Sequence, residues 1–144
     1  MERKFANELK TGEEFEPHEF RVTPELNQQY LYGVEDYHSR YLEETELGSP
    51  IVHLALLLNQ TNFTRSPSYS LPPGVTAIHS ADEVEFLNPG KVGKKFRVTW
   101  KVVDVYEKRG RLYQVKEVLM ADEDGVEILR RTITDTFFAA EKEG

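Results

Sequence analysis

The apolar segment from Pro50 to Leu58 constrains the fold more than any other part of the chain. Ser49 before it is a good helix N-cap, and Pro50 suits the first helical position because its missing N–H costs nothing there. Beyond Pro50 the segment is apolar on every face except at His53. A helix that is hydrophobic all round is buried, and this one is too short to span a membrane. The pattern therefore predicts a buried helix over residues 50–63, with His53 one turn from its positive end.

From Val75 onward the pattern changes to apolar alternation interrupted by turn residues, which is typical of strands. Upstream, Thr23 and Pro24 begin a helix that Gly33 ends, and Glu19–Val22 fits a short edge strand. Helices followed by an antiparallel meander predict one α+β domain over residues 1–144, in which the apolar helix covers the sheet. The strands are predicted at 75–86, 96–107, 112–121 and 126–138.

The composition argues against several classes of function. Lys and Arg number 18 against 25 Asp and Glu, and the net charge of −7 argues against nonspecific nucleic-acid binding, which needs clustered positive charge. The absence of cysteine leaves no disulfide framework and no thiolate metal site. Neither metal-ligand spacing nor a phosphate-cradling glycine loop is present, so no metal or cofactor is predicted. No apolar run follows the charged N-terminus, so we expect no signal peptide, no membrane segment and a cytoplasmic location.

Three motifs resemble one known family. Pro50-Ile51-Val52-His53, followed by the apolar segment, resembles the start of the central helix in MaoC-like (R)-specific enoyl-CoA hydratases. The segment Tyr32–Tyr37 is similar to the one that carries that family's catalytic aspartate, and Glu85–Lys94 is similar to its proline-containing strand connection. The resemblance spans roughly residues 15–138. It implies the hot-dog fold, an antiparallel sheet wrapped around a long central α-helix.

The resemblance also implies an activity. These proteins reversibly add water across the double bond of an acyl thioester carried on coenzyme A or on acyl-carrier protein. In the family, an aspartate and a histidine five residues further on hold and activate the water, and amides at the start of the central helix polarise the thioester carbonyl. A carboxylate and an imidazole can serve as base and acid on one water, and backbone N–H groups suit a developing enolate oxygen.

Carried over residue by residue, the resemblance is incomplete. Asp36 falls on the aspartate position, but the residue five further on is Tyr41, which is a poor base near neutral pH although it can donate a hydrogen bond. His38 lies two residues after Asp36 and is a candidate replacement. Leu54 stands where the family usually has glycine. We therefore expect Asp36 to be the base with His38 or His53 assisting, and Tyr41 and the amides around His53 and Leu54 to bind substrate.

Each of these residues also has an interpretation without catalysis. Asp36 would then bond its own loop backbone, His38 would be an exposed loop histidine, Tyr41 would be a packing residue, and His53 would be a core histidine bonded to a carbonyl.

Charged side chains offer weaker candidates for substrate binding. Arg40 and Arg65 could meet a carrier's phosphates, and the basic run Lys91, Lys94, Lys95 and Arg97 could dock coenzyme A, but all of them also fit a solvated surface. His18 and His79 have no recognisable sequence context.

Two functions remain open on the sequence. The first is a hydratase or dehydratase acting on 2-enoyl or 3-hydroxyacyl thioesters. The second is a catalytically incomplete hot-dog subunit that binds acyl thioester and pairs with an active one, which the tyrosine at position 41 fits; a hot-dog thioesterase is a third possibility. Because an exposed sheet edge invites pairing, we expect a homodimer or a heteromer with another hot-dog subunit, with the site near the interface.

Overall fold

The computed structural model describes residues 5–46, 48–62 and 70–139. It is an α+β fold, as predicted, with a 3-10 turn at Ala6–Glu8 before the first strand. The three helices are α1 (Pro24–Val34), α2 (Ser39–Leu42) and α3 (Leu54–Gln60). The five strands are β1 (His18–Arg21), β2 (Val75–Phe86), β3 (Lys95–Lys108), β4 (Arg111–Asp122) and β5 (Glu127–Ala139). The four long strands lie within one or two residues of their predicted bounds.

The strands form one antiparallel sheet in the order β1-β3-β4-β5-β2. The hairpins that join β3 to β4 and β4 to β5 confirm part of the predicted meander. The prediction was wrong for β2, which pairs with β5 at the far edge, from Val75 opposite Ala139 to Phe86 opposite Leu129. The residues between β2 and β3 do not form a hairpin turn, because they pair with the segment before α3. Val52 N donates to Gly90 O, and Val92 N donates to Pro50 O.

The helix α3 is shorter than predicted and begins later. His53 is its N-cap in place of Ser49, and the helix ends at Gln60 rather than at residue 63, which lies outside the described residues. The reason is the pairing just described. Ile51 forms a bridge with Lys91 and donates its N–H to Arg40 O, and this holds residues 50–52 in extended conformation.

One face of α3 packs into the concave side of the sheet. Leu56 and Leu57 are buried and join a core cluster with Phe96, Trp100 and their neighbours on β3, β4 and β5. Leu54 is 38% exposed, so the expectation of burial on every face was wrong. The opposite face of α3 points outward, so Leu54, the first residue of the helix, remains accessible.

Gly90 permits the close approach of the β2–β3 connection to this core. A Cβ atom at Gly90 would lie 2.9 Å from Cδ1 of Leu57 and 3.1 Å from the ring of Phe96. A larger residue would therefore push the connection away from α3, and with it the backbone pairing that sets where the helix begins.

The helix α1 begins as predicted, with Leu26 N donating to the Thr23 hydroxyl. It continues through Gly33 and ends at Val34, and its C-cap Glu35 has φ of 55° in the left-handed region. The sequence did not predict α2, a single turn capped by His38. Within the described residues, no helix has the length and the apolar character needed to cross a bilayer.

Candidate functional site

The carboxylate of Asp36 and the imidazole of His53 meet between α1 and α3. Nε2 of His53 lies 3.2 Å from Oδ2 of Asp36. The left-handed turn at Glu35 reverses the chain, and Asp36 N donates to Leu31 O at 3.1 Å, which anchors the aspartate against the end of α1. Both side chains remain partly open to solvent, with exposed fractions of 38% for Asp36 and 20% for His53. A water or a substrate can therefore reach the pair.

The capping role of His53 identifies its tautomer. Ala55 N donates to Nδ1 of His53 at 3.1 Å, so Nδ1 must be an acceptor without a proton. In the neutral ring the proton is then on Nε2, which donates it to the Asp36 carboxylate. The capping bond at the start of α3 thus makes Nε2 of the imidazole a hydrogen-bond donor that faces Asp36.

Asp36 retains acceptor capacity after this contact. Its Oδ1 accepts from His38 N at 3.2 Å, and its Oδ2 faces His53. An ionised carboxylate has about four lone-pair directions in total, so each oxygen still has room for one more donor. Asp36 does bond its own loop, as the structural interpretation expected, but this leaves it able to accept a proton from water.

Two tyrosines hold the His53 ring. Its centroid lies 5.5 Å from the ring of Tyr30 and 5.1 Å from the ring of Tyr41, with tilted geometry. Tyr41 is buried, and its carbonyl accepts from the side-chain amide of Asn27 at 2.9 Å. Tyr41 is thus a packing partner of the histidine that meets Asp36.

His38 has a different role from the one that its proximity in sequence suggested. Its Nδ1 accepts from Arg40 N at 3.2 Å and so caps α2, and its ring lies edge-on to Tyr41 at 6.2 Å. Only the backbone N–H of His38 reaches the Asp36 carboxylate. Of the two histidines proposed to assist Asp36, the structure brings the His53 side chain to it.

The start of α3 leaves two amides without an acceptor among the described residues. Ala55 N is taken by the His53 ring, and Leu56 N and Leu57 N donate to His53 O. The N–H groups of His53 and Leu54 remain. The side chain of Leu54 is exposed beside them and borders whatever approaches.

A cavity of about 380 Å³ shares Tyr41 with this site. Its other walls come from α1, from the end of α2, from the segment before α3 and from the β2–β3 connection: Pro24, Asn27, Gln28, Leu42, Ser49, Pro50 and Val92. Ligand pockets commonly have volumes of roughly 300–1,000 Å³. Tyr41 therefore both contacts the imidazole of His53 and lines a space of ligand size.

Four of the cations proposed to meet phosphates have other partners. The Arg40 guanidinium lies 5.2 Å from the Tyr41 ring centroid, and Arg65 lies outside the described residues. In the basic run, Lys94 pairs with Asp124 at 2.6 Å, while Lys95 and Arg97 both approach Glu19.

Two groups in these pairs have shifted pKa values. The hydrogen bond from Lys95 lowers the pKa of Glu19, and the Asp124 carboxylate raises the pKa of Lys94. The basic run is thus largely neutralised, and its geometry favours the interpretation as a solvated edge.

The remaining histidines lie away from the pair. Nε2 of the buried His18 lies 3.1 Å from Oε1 of Gln60, at the end of α3. His79, on β2, has its Nε2 3.3 Å from Oδ2 of Asp82. Asp82 also receives the guanidinium of the buried Arg131, whose hydrogen bond lowers the pKa of the Asp82 carboxyl.

No protein-family model and no curated protein sequence matches the chain. Solved structures do match it. A MaoC-like dehydratase from Rhodospirillum rubrum has a TM-score of 0.76 at 18% identity, over 95% of this chain and 98% of that one. An (R)-hydratase from A. caviae involved in PHA biosynthesis has a TM-score of 0.70 at 18% identity, over 90% of this chain and 98% of that one.

The similarity extends to a two-component enzyme. The truncated HadBC complex, a 3R-hydroxyacyl-ACP dehydratase from Mycobacterium tuberculosis, has a TM-score of 0.66 at 18% identity, over 88% of this chain and 96% of that one. These matches cover nearly the whole of each chain and confirm the predicted architecture. The chain has the hot-dog fold of the MaoC-like dehydratases and (R)-hydratases.

Proposed function

We propose that this protein is a MaoC-like hydratase or dehydratase that adds water to, or removes it from, 2-enoyl and 3-hydroxyacyl thioesters. One observation carries the proposal: the Asp36 carboxylate and the Nε2–H of His53 are 3.2 Å apart and both open to solvent, beside two amides without an acceptor among the described residues. A base, a donor and a site for an oxyanion in one region are what hydration of a thioester requires.

Hydration proceeds by proton transfer through Asp36. A water donates one O–H to the Asp36 carboxylate, and the Nε2–H of His53, which donates to Oδ2 when no water is present, now donates to the water oxygen. As the water oxygen bonds to C3 of the enoyl thioester, its proton passes to Asp36, and the π electrons of the double bond move to give an enolate at the thioester oxygen. The enolate then collapses and takes the proton from Asp36 at C2, which restores the carboxylate. Dehydration is the reverse.

The other predicted residues serve binding and positioning. The N–H groups of His53 and Leu54 receive the thioester oxygen, where negative charge develops. Tyr41 packs on the imidazole and lines the neighbouring cavity, where it borders the acyl thioester. His38 supplies a backbone N–H that helps to hold the Asp36 carboxylate in place. The carrier is coenzyme A or acyl-carrier protein, and both present the same thioester.

Names of the structural neighbours support this reaction class. One is a MaoC-like dehydratase, one an (R)-hydratase and one a 3R-hydroxyacyl-ACP dehydratase. The identities of 18% are too low to transfer an activity by themselves, so the geometry of Asp36 and His53 is the main support for the assignment.

The direct test is turnover by the purified protein alone. We expect loss of enoyl-thioester absorbance with a short 2-enoyl-CoA, and we expect Asp36→Asn to abolish it, because an amide cannot accept the proton. Absence of turnover with 2-enoyl thioesters of every chain length, on either carrier, would reject the proposal. Release of free thiol from acyl-CoA would indicate a thioesterase instead.

A second function has two observations in its favour. Tyr41 occupies the histidine position of the family, and HadBC, a structural neighbour, is a complex. In this alternative the chain is an incomplete hot-dog subunit that shapes the acyl pocket of an active partner. It predicts turnover only with a co-purifying subunit, and that turnover would be unaffected by Asp36→Asn.

Association is expected under both functions. The strand β2 lies at the edge of the sheet and is exposed along most of its length, including Ile78 at 45% and Phe86 at 41%. An unprotected edge strand offers unpaired backbone groups to another chain. We expect a homodimer or a heteromer with another hot-dog subunit, which the molar mass in solution will distinguish from a monomer.

A further inference from the structure

The buried face of α1 consists of Asn27 and Leu31, which are exposed by only 4% and 1%. The two residues are four positions apart, so they lie on the same face of the helix, about 6 Å apart along its axis. Leu31 is an apolar residue in an apolar environment. Asn27 is an amide in the same environment, where a polar side chain lowers stability unless it is hydrogen-bonded. The hydrogen bond that Asn27 makes is therefore the contribution to examine.

The two ends of this helical turn hold opposite sides of the Asp36–His53 pair. At one end, Leu31 O accepts from Asp36 N at 3.1 Å. At the other end, Nδ2 of Asn27 donates to Tyr41 O at 2.9 Å, and the Tyr41 ring centroid lies 5.1 Å from that of His53. One turn of α1 thus separates the support of the carboxylate from the support of the imidazole.

The position of Tyr41 depends on contacts outside its own helix. The helix α2 is a single turn, and an isolated turn of helix is not stable in water. Ile51 N donates to Arg40 O and ties α2 to the segment before α3. Among the described residues, the bond from Asn27 to Tyr41 O is the hydrogen bond that ties α2 to α1. Without it, α2 and the Tyr41 ring would lose their fixed distance from the helix that holds Asp36.

The contact between Asp36 and His53 is sensitive to such a displacement. Its length of 3.2 Å, from Nε2 to Oδ2, is at the long end of the usual range for a hydrogen bond. A displacement of about 1 Å in a catalytic group, caused by a distant change, can reduce a rate by roughly 100-fold.

We propose that Asn27 is a positioning residue for the Asp36–His53 pair. Its side-chain amide fixes the backbone of Tyr41, the Tyr41 ring fixes the imidazole of His53, and the same turn of α1 fixes Asp36. Asn27 acts through Tyr41 rather than on the substrate. This inference rests on the proposed hydratase function, because it gives Asn27 an effect on the rate of that reaction.

The test compares Asn27→Leu with Gln29→Leu in the full chain. Asn27→Leu keeps a similar volume but removes the donor to Tyr41 O. Gln29→Leu makes the same kind of change on the same helix, at an exposed residue whose side chain makes no contact among the described interactions. With a short 2-enoyl-CoA, we expect kcat to fall about 10- to 100-fold in Asn27→Leu, with KM changed less than about threefold, and neither to change in Gln29→Leu. A lower urea midpoint with unchanged kcat would show that Asn27 is merely structural and would overturn the proposal.

A second measurement does not depend on turnover. In a long-range ¹H–¹⁵N NMR spectrum of the imidazole, we expect Asn27→Leu to change the ring-proton shifts of His53, which lies beside the Tyr41 ring, and to speed exchange of its Nε2 proton with water. Gln29→Leu should give the wild-type spectrum. If wild type shows no turnover, the proposed function fails, and this spectrum still tests the positioning. If wild type turns over and Asn27→Leu leaves both kcat and the His53 spectrum unchanged, only this inference fails.

A smaller variant covers the case in which Asn27→Leu does not fold. Asn27 and Tyr41 both line the cavity of about 380 Å³, so in Asn27→Ala a water from this cavity can donate to Tyr41 O. The variant should therefore fold but should lack the direct link between α1 and α2. We expect kcat and the His53 spectrum to change in the same direction as for Asn27→Leu. A folded Asn27→Ala protein with wild-type kcat and a wild-type His53 spectrum would overturn the proposal.

Discussion

His53 makes two hydrogen bonds with opposite ends of its ring, accepting from Ala55 N at Nδ1 and facing Asp36 Oδ2 with Nε2. The first bond starts α3, and the second forms the candidate site. His53 therefore determines where α3 begins and also orients the carboxylate of Asp36. One residue thus contributes both to the helix and to the candidate site.

This double role predicts a large effect for His53→Ala. The variant loses the donor to Asp36, and we expect kcat to fall by roughly 100-fold or more, as for loss of a group that takes part in proton transfer. Stability should fall by about 1 kcal/mol, since an N-cap acceptor is lost. Steady-state kinetics and urea unfolding measure the two effects separately.

His38→Ala is the matched control for that variant. His38 also caps a helix with its Nδ1, but its side chain makes no contact with Asp36 among the described interactions. We expect a similar loss of stability, about 1 kcal/mol, with kcat changed by no more than a few-fold. Equal losses of kcat in the two variants would show that capping, rather than the Asp36 contact, explains the effect of His53→Ala.

Alternation in the sequence was sufficient to place β3, β4 and β5, because each of these strands buries one face and leaves the other more accessible, whereas β2 is exposed along most of its length. Alternation could not place β2 at the far edge of the sheet. It also could not show that the apolar segment stays extended as far as Val52 before the helix begins. The extended residues 50–52 depend on the backbone of Gly90 and Lys91, and the position of β2 depends on its pairing with β5; in both cases the partner is distant in sequence. The contact between Asp36 and His53 likewise joins residues that are distant in sequence. His38 is near Asp36 in sequence, but its side chain does not contact the carboxylate among the described interactions.

Gly90 should be intolerant of even one methyl group. Gly90→Ala places a Cβ within 2.9 Å of Leu57 and 3.1 Å of Phe96, and overpacking of this kind lowers stability by about 1–3 kcal/mol. The displaced connection should also weaken the pairing of Val52 with Gly90 and so disturb the position of His53. Chemical denaturation and turnover measure both effects.

Gly33→Ala should have the opposite effect and raise the stability of the protein. Gly33 lies inside α1 and does not have positive φ, and a methyl group added there would meet no other part of the described chain within 4 Å. Replacing a glycine inside a helix with alanine stabilises by about 0.5–1 kcal/mol. A loss of stability in Gly33→Ala would contradict the assignment of this residue to the helix interior.

Tyr41 should act through its ring. Tyr41→Phe keeps the contacts with His53 and with the Arg40 guanidinium, so we expect stability to be unchanged and KM to stay within about twofold. Tyr41→Ala should cost about 3–5 kcal/mol by leaving a cavity beside the imidazole. A marked rise in KM for Tyr41→Phe would instead assign the hydroxyl to substrate binding.

The ion pair of Arg131 with Asp82 should make stability depend on pH in the acid range. Arg131 is buried and also donates to the Thr61 hydroxyl at 2.8 Å and to Asn62 Oδ1 at 2.8 Å, so it joins β5 and β2 to the end of α3. Asp82→Asn leaves the guanidinium without its carboxylate, and we expect a loss of about 1–3 kcal/mol at neutral pH.

The sign of the pH dependence follows from the pKa of Asp82, which Arg131 holds below the ordinary value of 3.8. The folded state therefore binds the proton less readily than the unfolded state, and the carboxylate stabilises the fold above the ordinary aspartate pKa. As the pH falls below 3.8 this contribution is progressively lost, so wild type and Asp82→Asn should converge in urea unfolding at acid pH. Glu19→Gln is the control, since the pKa of Glu19 is also lowered, by Lys95, but the group is exposed and its effect should be small and should vanish at high salt. A stability difference between wild type and Asp82→Asn that stayed constant down to the acid limit would show that the charge of Asp82 contributes nothing and that only its shape matters.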